Sequence, residues 1–368
     1  MSPTTADLLP CAEPVRFLDE EGVLTGPGPD AEARGYAMPS DEDLLAVWRQ
    51  MVIGRRFDAQ ATALTKQGRL AVYPSSRGQD ACQVAPVWAL QEQDWFFPTY
   101  RDSMALISRG LDPIEVLTLL RGSWHCGYDP VATNTAPQCT PLATQAVHAA
   151  GAGHGLARRG SDGVALCFIG DGATSEGDFH EGLNFAAVFN APTVFFVQNN
   201  KYAISVPLEK QSKAPSLAYK GIGYGVHSEQ VDGNDAAAVL AVTRRAYEHA
   251  SSGQGPFLIE AHTYRLEAHT NADDATRYRQ SEEVTQWSGR DPIARLQTYL
   301  SSTGALTPGI EEQVTAEAED FAARVREQMN LEPEVAPLSL FEHVYAQQTP
   351  QLREQAHMIR AEMEEVSA

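Results

Sequence analysis

Val164-Ala-Leu-Cys-Phe-Ile169, followed directly by Gly170-Asp171-Gly172, is the stretch of sequence that decides the fold. A continuous apolar run that ends in a glycine-rich turn is typical of a strand buried on both faces of a parallel sheet. Thr193-Val-Phe-Phe-Val197 repeats this pattern and ends at Gln198-Asn-Asn200. Between the two runs, Asp178 is the predicted cap of a helix. A strand, a helix and a strand in this order predict a βαβ unit.

The same alternation continues toward the C-terminus, with a helix predicted near residues 235–251 and a strand at Pro256–Ala261. We therefore expect an α/β fold with a doubly wound, mostly parallel sheet. Residues 1–40 are rich in Gly and Pro and are predicted to form an extended N-terminal arm. Residues 41–300 are expected to form the main domain, and the charged helix formers of residues 301–368 a C-terminal helical tail.

Composition limits the classes of partner. With 28 Lys and Arg against 48 Asp and Glu, the chain carries a formal charge of −20. This charge repels nucleic acid and anionic lipid, so neither nucleic acid nor a membrane is expected as a partner. The sequence has neither an apolar run of membrane-spanning length nor a basic, apolar leader, which predicts a cytoplasmic protein. Any anionic ligand has to be held by local charges.

Polar residues follow both predicted strands. Asp171 and Asn200 are about 30 residues apart, the length of one βαβ crossover, so both should lie at the carboxyl ends of adjacent strands. Carboxylate and amide oxygens suit Mg²⁺ bound to phosphate. Gly170 and Gly172 would let a diphosphate approach the backbone, and the amide of Ala173 leads toward a helix N-terminus. Each tripeptide alone would more commonly be a plain turn or loop.

Taken together, Gly170–Asp178 and Gln198–Ser205 resemble the thiamine-diphosphate motif of the E1 α chains of two-subunit 2-oxo acid dehydrogenases. The resemblance extends from about Asp41 to Leu300. It implies the thiamine-diphosphate-binding fold, with thiamine diphosphate and Mg²⁺ as cofactors. It also implies an enzyme that oxidatively decarboxylates a 2-oxo acid and passes the acyl group to the lipoyl group of a separate E2 acyltransferase.

The resemblance assigns metal and diphosphate contacts. Asp171 and Asn200 would bind Mg²⁺ through their side chains, and Tyr202 would bind it through its backbone carbonyl. Tyr100 and Arg101 match the pair that contacts the diphosphate in this family. A guanidinium fork suits phosphate oxygens, although an Arg at a helix start is often only a surface residue.

A second matching segment is Thr140-Pro-Leu-Ala-Thr-Gln145. Here Leu142 would offer its backbone carbonyl to the aminopyrimidine ring of the cofactor. Thr144 and Gln145 would lie at a site that binds K⁺ in some relatives. The family has Ser at the position of Thr140, and simple turn packing remains an equal alternative to this K⁺ site.

A third matching segment, Tyr264–Asp274, contains Arg265 and His269 and resembles a mobile loop of the family. In the family this loop lines the active site, so both residues are predicted cofactor contacts. Histidine can supply a proton or a phosphate hydrogen bond near neutral pH, which makes His269 the predicted catalytic residue. A loop histidine without such a context is usually only solvated.

The expected partners follow from what the chain lacks. The glutamate that activates the cofactor belongs to the β subunit in this family, and we find no second thiamine-type domain in the 368 residues. An E1 β subunit and an α2β2 heterotetramer are therefore expected. Three segments look nearer to branched-chain members, although some bacterial pyruvate dehydrogenases share them: Ser175–Asp178, Asn184–Ala187 and Tyr202–Ser205. They favour a 3-methyl-2-oxobutanoate type of substrate and a role in branched-chain amino acid catabolism.

Other functions remain open at this point. Pyruvate dehydrogenases and acetoin dehydrogenases of the same subunit type are the alternatives within the family. A nicotinamide-dependent oxidoreductase would need a third glycine where Ser175 stands and an acidic residue near Gln198–Asn200. A non-catalytic scaffold subunit would be expected to lose the metal ligands or His269, and all of them are present.

Overall fold

A computed structural model describes residues 4–333, 336–342 and 344–367. The strands are β1 (Trp95–Phe97), β2 (Ala165–Gly170), β3 (Thr193–Asn199), β4 (Tyr202–Ala203), β5 (Val206–Pro207), β6 (His227–Asp232) and β7 (Phe257–His262). The helices are α1 (Thr5–Leu8), α2 (Pro29–Ala33), α3 (Asp41–Lys66), α4 (Asp80–Trp88), α5 (Ser103–Ser108), α6 (Pro113–Arg121), α7 (Thr144–Arg158), α8 (Gly177–Val188), α9 (Ala236–His249), α10 (Ser281–Ser288), α11 (Pro292–Thr303), α12 (Pro308–Met329) and α13 (Pro350–Ser367). One compact unit runs to Gln328 and a second begins at Met329.

The main sheet contains five parallel strands in the order β1-β2-β3-β7-β6. This confirms the predicted α/β class with a parallel sheet. Strands β2 and β3 are neighbours, and their register pairs Gly170 with Gln198. Because parallel strands in this register end at the same edge, the residues that follow them are brought together there.

The sheet is buried on both faces because alternate residues of β2 and β3 enter two separate cores. Leu166 and Phe168 join the core that contains residues of α4 and α9. Cys167 and Ile169 join the core that contains residues of α7 and α8. Strands apolar at every position are what such two-sided burial requires, and the doubly wound architecture is confirmed.

Helix α8 begins earlier in the chain than the sequence predicted. Its cap is Glu176, and Asp178 lies within the first turn, so the prediction that Asp178 caps this helix is wrong. A short 3-10 turn, Gly172–Ser175, leads into the helix and moves its start toward the N-terminus. None of the helices in the described ranges is long and apolar enough to cross a membrane.

The N-terminal segment packs against its own chain. Val15 forms a parallel bridge with Val231 at the edge strand β6. The backbone amides of Phe17 and Leu18 donate to the buried carboxylate of Asp235, at 2.6 and 2.8 Å. Asp235 also caps α9, so one side chain joins the N-terminal segment to a core helix.

We predict that Asp235→Ala destabilises the protein by about 3 to 5 kcal/mol, because it leaves several buried backbone amides without an acceptor. Hydrogen exchange at Phe17 and Leu18 should accelerate, and the urea midpoint should fall. Asp112→Ala is a matched control, since Asp112 caps α6 in the same way but is exposed. It should cost only about 1 kcal/mol. Equal losses in the two variants would contradict the proposed anchoring.

Candidate active site

A cleft of about 610 Å³ opens at the carboxyl edge of β2 and β3. All eleven predicted cofactor-contact residues line it: Tyr100, Arg101, Leu142, Gly170, Asp171, Gly172, Ala173, Asn200, Tyr202, Arg265 and His269. Of the two predicted K⁺ residues, one lines the cleft and the other does not. Gln145 lines the cleft, whereas the Thr144 hydroxyl donates to Asp178 at 3.4 Å. Their contacts with a cofactor or an ion stay predictions.

Three oxygen atoms face one another at the floor of the cleft. Oδ1 of Asn200 lies 3.0 Å from the carbonyl oxygen of Tyr202 and 3.3 Å from Oδ1 of Asp171. Neighbouring oxygen ligands of an octahedral Mg²⁺ lie about 3 Å apart, because each is about 2.1 Å from the ion. The spacing and the donor types therefore fit a small, hard cation.

The carboxyl group of Asp171 belongs to this set and is almost fully buried. Burial raises its pKa, since it removes water from the ionised form. The Gln211 amide donates to its second oxygen at 3.3 Å and opposes that effect. Within the described residues, no three His, Cys, Asp or Glu side chains come together as a metal site. A cation here would depend on mixed carboxylate, amide and carbonyl donors.

A local backbone strain positions the third oxygen. Lys201, between Asn200 and Tyr202, has a φ of +76°, in the left-handed region. A residue other than glycine in this region costs about 1 to 3 kcal/mol, and such strain is concentrated at functional sites. The sharp turn at Lys201 brings the Tyr202 carbonyl back beside the Asn200 side chain. No sequence pattern indicated this turn, because Lys is not a residue that favours this conformation.

Two guanidinium groups meet on the other side of the cleft. Nδ1 of His269 lies 3.0 Å from Nη2 of Arg101 and 3.3 Å from Nη1 of Arg265. The remaining hydrogen bonds of both Arg side chains go to backbone carbonyls and to the Tyr278 hydroxyl. No carboxylate is among these partners in the part of the chain that the structure describes. Two adjacent buried cations with no carboxylate among their hydrogen-bond partners are suited to an anion such as a diphosphate.

These two cations determine the protonation of His269. Burial, followed by the charges of Arg101 and Arg265, lowers the pKa of its imidazole to about 4. The ring is therefore neutral at pH 7. Since both guanidinium groups donate toward Nδ1, the single ring proton lies on Nε2.

Sequence reasoning missed several polar residues in and beside the cleft. Gln79 and Gln211 belong to segments that carry no recognised motif, and Asp102 follows the matched pair Tyr100 and Arg101 but was not itself predicted. All three approach the site only in the folded chain. Gln198 was visible at the end of the β3 pattern, but nothing in that pattern indicated its partners.

The chain matches the dehydrogenase E1 component family over residues 48–335. It belongs to this family. It is 44% identical over 351 residues to the 3-methyl-2-oxobutanoate dehydrogenase subunit alpha of Mycobacterium tuberculosis, covering 95% of this chain and 94% of that protein. It is 39% identical over 347 residues to the pyruvate dehydrogenase E1 component subunit alpha of Staphylococcus aureus, covering 93% and 91%.

Family membership confirms the resemblance on which the site was predicted. The chain is part of a 2-oxo acid dehydrogenase, an oxidoreductase, and the family implies thiamine diphosphate as cofactor. The observed cleft fits this cofactor in two ways. It offers paired guanidinium groups suited to a diphosphate, and it offers three converging oxygens suited to the cation that accompanies a diphosphate.

We predict that binding of inorganic diphosphate raises the pKa of His269 from about 4, because the anion neutralises Arg101 and Arg265. A group whose pKa rises on binding takes up protons at pH values between its free and bound pKa. Calorimetry at pH 6 in two buffers of different ionisation enthalpy should therefore show more proton uptake by the wild type than by His269→Gln. The difference should vanish at pH 8. Equal uptake by both proteins at pH 6 would refute this electrostatic description.

Proposed function

We propose that the chain is the α subunit of an E1 enzyme that oxidatively decarboxylates branched-chain 2-oxo acids of the 3-methyl-2-oxobutanoate type. The observation that carries the proposal is the cleft in which Asp171, Asn200 and the Tyr202 carbonyl converge opposite two guanidinium groups. The 44% identity to the mycobacterial 3-methyl-2-oxobutanoate dehydrogenase subunit alpha supports the substrate class. Pyruvate is the second candidate, on the 39% identity to the staphylococcal pyruvate dehydrogenase subunit.

In this proposal Mg²⁺ would be held by the side chains of Asp171 and Asn200 and by the carbonyl of Tyr202, three hard oxygen donors of the kind that this ion prefers. A Cβ atom at Gly172 would lie 2.6 Å from Cβ of Ala203, so only glycine lets the loop after β2 approach β4 this closely. The absence of a side chain there keeps Asp171 and Tyr202 within reach of one ion.

The diphosphate would be held by Arg101 and Arg265, with further contacts from Tyr100 and the amide of Ala173. Arg101 is fixed by the Ser75 carbonyl, which accepts from its Nη1 at 2.8 Å. Arg265 is fixed by the Ile204 carbonyl, which accepts from its Nη2 at 2.8 Å. Both guanidinium groups are therefore oriented before a ligand arrives, which lowers the entropic cost of binding.

Thiamine diphosphate, when bound, supplies the carbon nucleophile and the electron sink for decarboxylation. The residues of this chain hold and polarise the bound group. His269, neutral and protonated at Nε2, is a hydrogen-bond donor at the cleft, and the predicted contact of Leu142 is its backbone carbonyl. Gln145 also reaches the cleft, and its buried Oε1 has no hydrogen-bond partner in the described structure, which is the feature that favours K⁺ there.

The proposed assembly is an α2β2 heterotetramer that transfers its acyl product to the lipoyl group of an E2 acyltransferase. Three large apolar side chains on or beside α8 are exposed, Phe185 at 49%, Val188 at 69% and Phe189 at 47%. Clustered exposed apolar groups of this kind are typical of a subunit interface. The five cysteines are free thiols, which suits the cytoplasm.

Decarboxylation by the chain co-expressed with its β partner tests the proposed substrate. We expect kcat/KM for 3-methyl-2-oxobutanoate to exceed that for pyruvate by about 10-fold or more, since each added methyl group contributes binding energy in an apolar pocket. The assay follows reduction of an artificial electron acceptor. A preference for pyruvate would establish the alternative, and turnover of neither acid would contradict both proposed substrates.

Removal of a metal ligand is expected to abolish Mg²⁺-dependent cofactor binding. Asp171→Ala or Asn200→Ala should weaken Mg²⁺ binding by more than about 100-fold, because even residues behind a ligand change metal affinity by about 10- to 100-fold. Calorimetric titration of thiamine diphosphate, with and without Mg²⁺, measures the effect. Asp178→Ala, in the same motif but outside the cleft, is the control and should bind normally. Unchanged affinity of Asp171→Ala for thiamine diphosphate and Mg²⁺ would contradict the assignment of Asp171 as a metal ligand.

A further inference from the structure

The side-chain amide of Asn200 is the last member of a buried chain of hydrogen bonds. Its Nδ2 donates to Oε1 of Gln79 at 2.9 Å. Nε2 of Gln79 donates to Oε1 of Gln198 at 2.9 Å. Nε2 of Gln198 donates to Oδ1 of Asp102, again at 2.9 Å. All four side chains line the cleft but are buried, with no more than 6% of any of these residues exposed.

The direction of the chain is fixed where it starts. Oδ2 of Asp102 accepts from the backbone amide and the hydroxyl of Thr99, both at 2.7 Å. A backbone amide can only donate, so Oδ2 must accept, and Oδ1 of the ionised carboxylate can also only accept. Gln198 therefore has to turn its Nε2 toward Asp102 and its Oε1 toward Gln79.

A second anchor fixes the same direction independently. The backbone amide of Ala105 donates to Oε1 of Gln83 at 3.3 Å, which forces Nε2 of Gln83 to point the other way. That nitrogen lies 2.6 Å from Oδ1 of Asp102 and 2.8 Å from Oε1 of Gln198. The acceptor role of Gln198 Oε1 thus does not depend on Asp102 alone.

The direction of these hydrogen bonds determines how the Asn200 amide is oriented at the cleft. Since Gln79 accepts from Nδ2 of Asn200, Oδ1 of Asn200 faces the Tyr202 carbonyl and the Asp171 carboxylate. A reversed amide would donate to both of these oxygens, at 3.0 and 3.3 Å, and would fill the position of the cation. Reversal would also set its oxygen 2.9 Å from Oε1 of Gln79, oxygen against oxygen. That repulsion opposes the reversed state.

We propose that Asp102, Gln198 and Gln79 are positioning residues that hold the Asn200 amide with its oxygen toward the metal site. This inference rests on the proposed Mg²⁺ site and deepens it. This chain of hydrogen bonds from Asp102 through Gln198 and Gln79 to Asn200, the relay, keeps three acceptor oxygens facing one another. A cation would neutralise the repulsion among these oxygens. Asp102 also directly follows Arg101 in the chain, so one turn carries both a diphosphate contact and the anchor of the metal ligand.

The test is the affinity of the co-expressed α and β chains for Mn²⁺ in the presence of thiamine diphosphate, measured by electron paramagnetic resonance. Gln79→Met removes the acceptor for Nδ2 and should weaken Mn²⁺ binding about 10- to 100-fold. Asp102→Asn, which preserves size, should act in the same direction and serves if the first variant fails to fold. Gln138→Met changes another buried glutamine, bonded to Ser103, and should leave the affinity unchanged.

A double-mutant cycle separates orientation from general damage. Asn200→Asp presents an oxygen to the metal in either orientation, so Gln79→Met in that background should change Mn²⁺ affinity by no more than about twofold. Equal losses on Gln79→Met in the wild-type and Asn200→Asp backgrounds would overturn the relay, as would wild-type affinity in both Gln79→Met and Asp102→Asn. If Asp171→Ala also kept wild-type affinity, the metal site itself would fail, and the relay with it.

Discussion

The parallel pairing of β2 with β3 is the constraint on which the other features of the site depend. Their register places Gly170 opposite Gln198, so both strands end at one edge of the sheet. Asp171 and Asn200 follow directly, and the turn at Lys201 returns the Tyr202 carbonyl to the same point. A slip of one residue would reverse every side chain of a strand between the two cores and would separate these oxygens.

The net charge of the chain and the charges of the two guanidinium groups at the cleft have opposite signs. A protein with a formal charge of −20 repels a diphosphate as a whole. In the proposed site Arg101 and Arg265 overcome this repulsion at short range, because they are buried side by side without a carboxylate among their hydrogen-bond partners in the described residues. Burial lowers the pKa of His269 and the charges of these two groups lower it further, which keeps that ring neutral. In the proposed site the same two groups bind the diphosphate, and their charges keep the neighbouring His269 ring neutral.

Patterns of short range were readable in the sequence, and contacts of long range were not. The apolar runs of β2 and β3 predicted the βαβ unit, because two-sided burial requires apolar residues at every position. The start of α8 was misjudged because a 3-10 turn precedes it. Gln79 lies 119 residues from Gln198 and 121 from Asn200. Such polar groups come together only in the folded sheet, so no local sequence pattern predicts their pairing.

In the proposed site, three oxygens of this chain bind one divalent cation beside a diphosphate. Anomalous diffraction from crystals of the αβ complex with thiamine diphosphate and Mn²⁺ is the decisive test. We expect one manganese peak within about 2.3 Å of an Asp171 carboxylate oxygen, Oδ1 of Asn200 and the Tyr202 carbonyl oxygen, with diphosphate oxygens completing the octahedron. A peak elsewhere in the cleft, or an Asn200 amide whose nitrogen faces the ion, would contradict this arrangement.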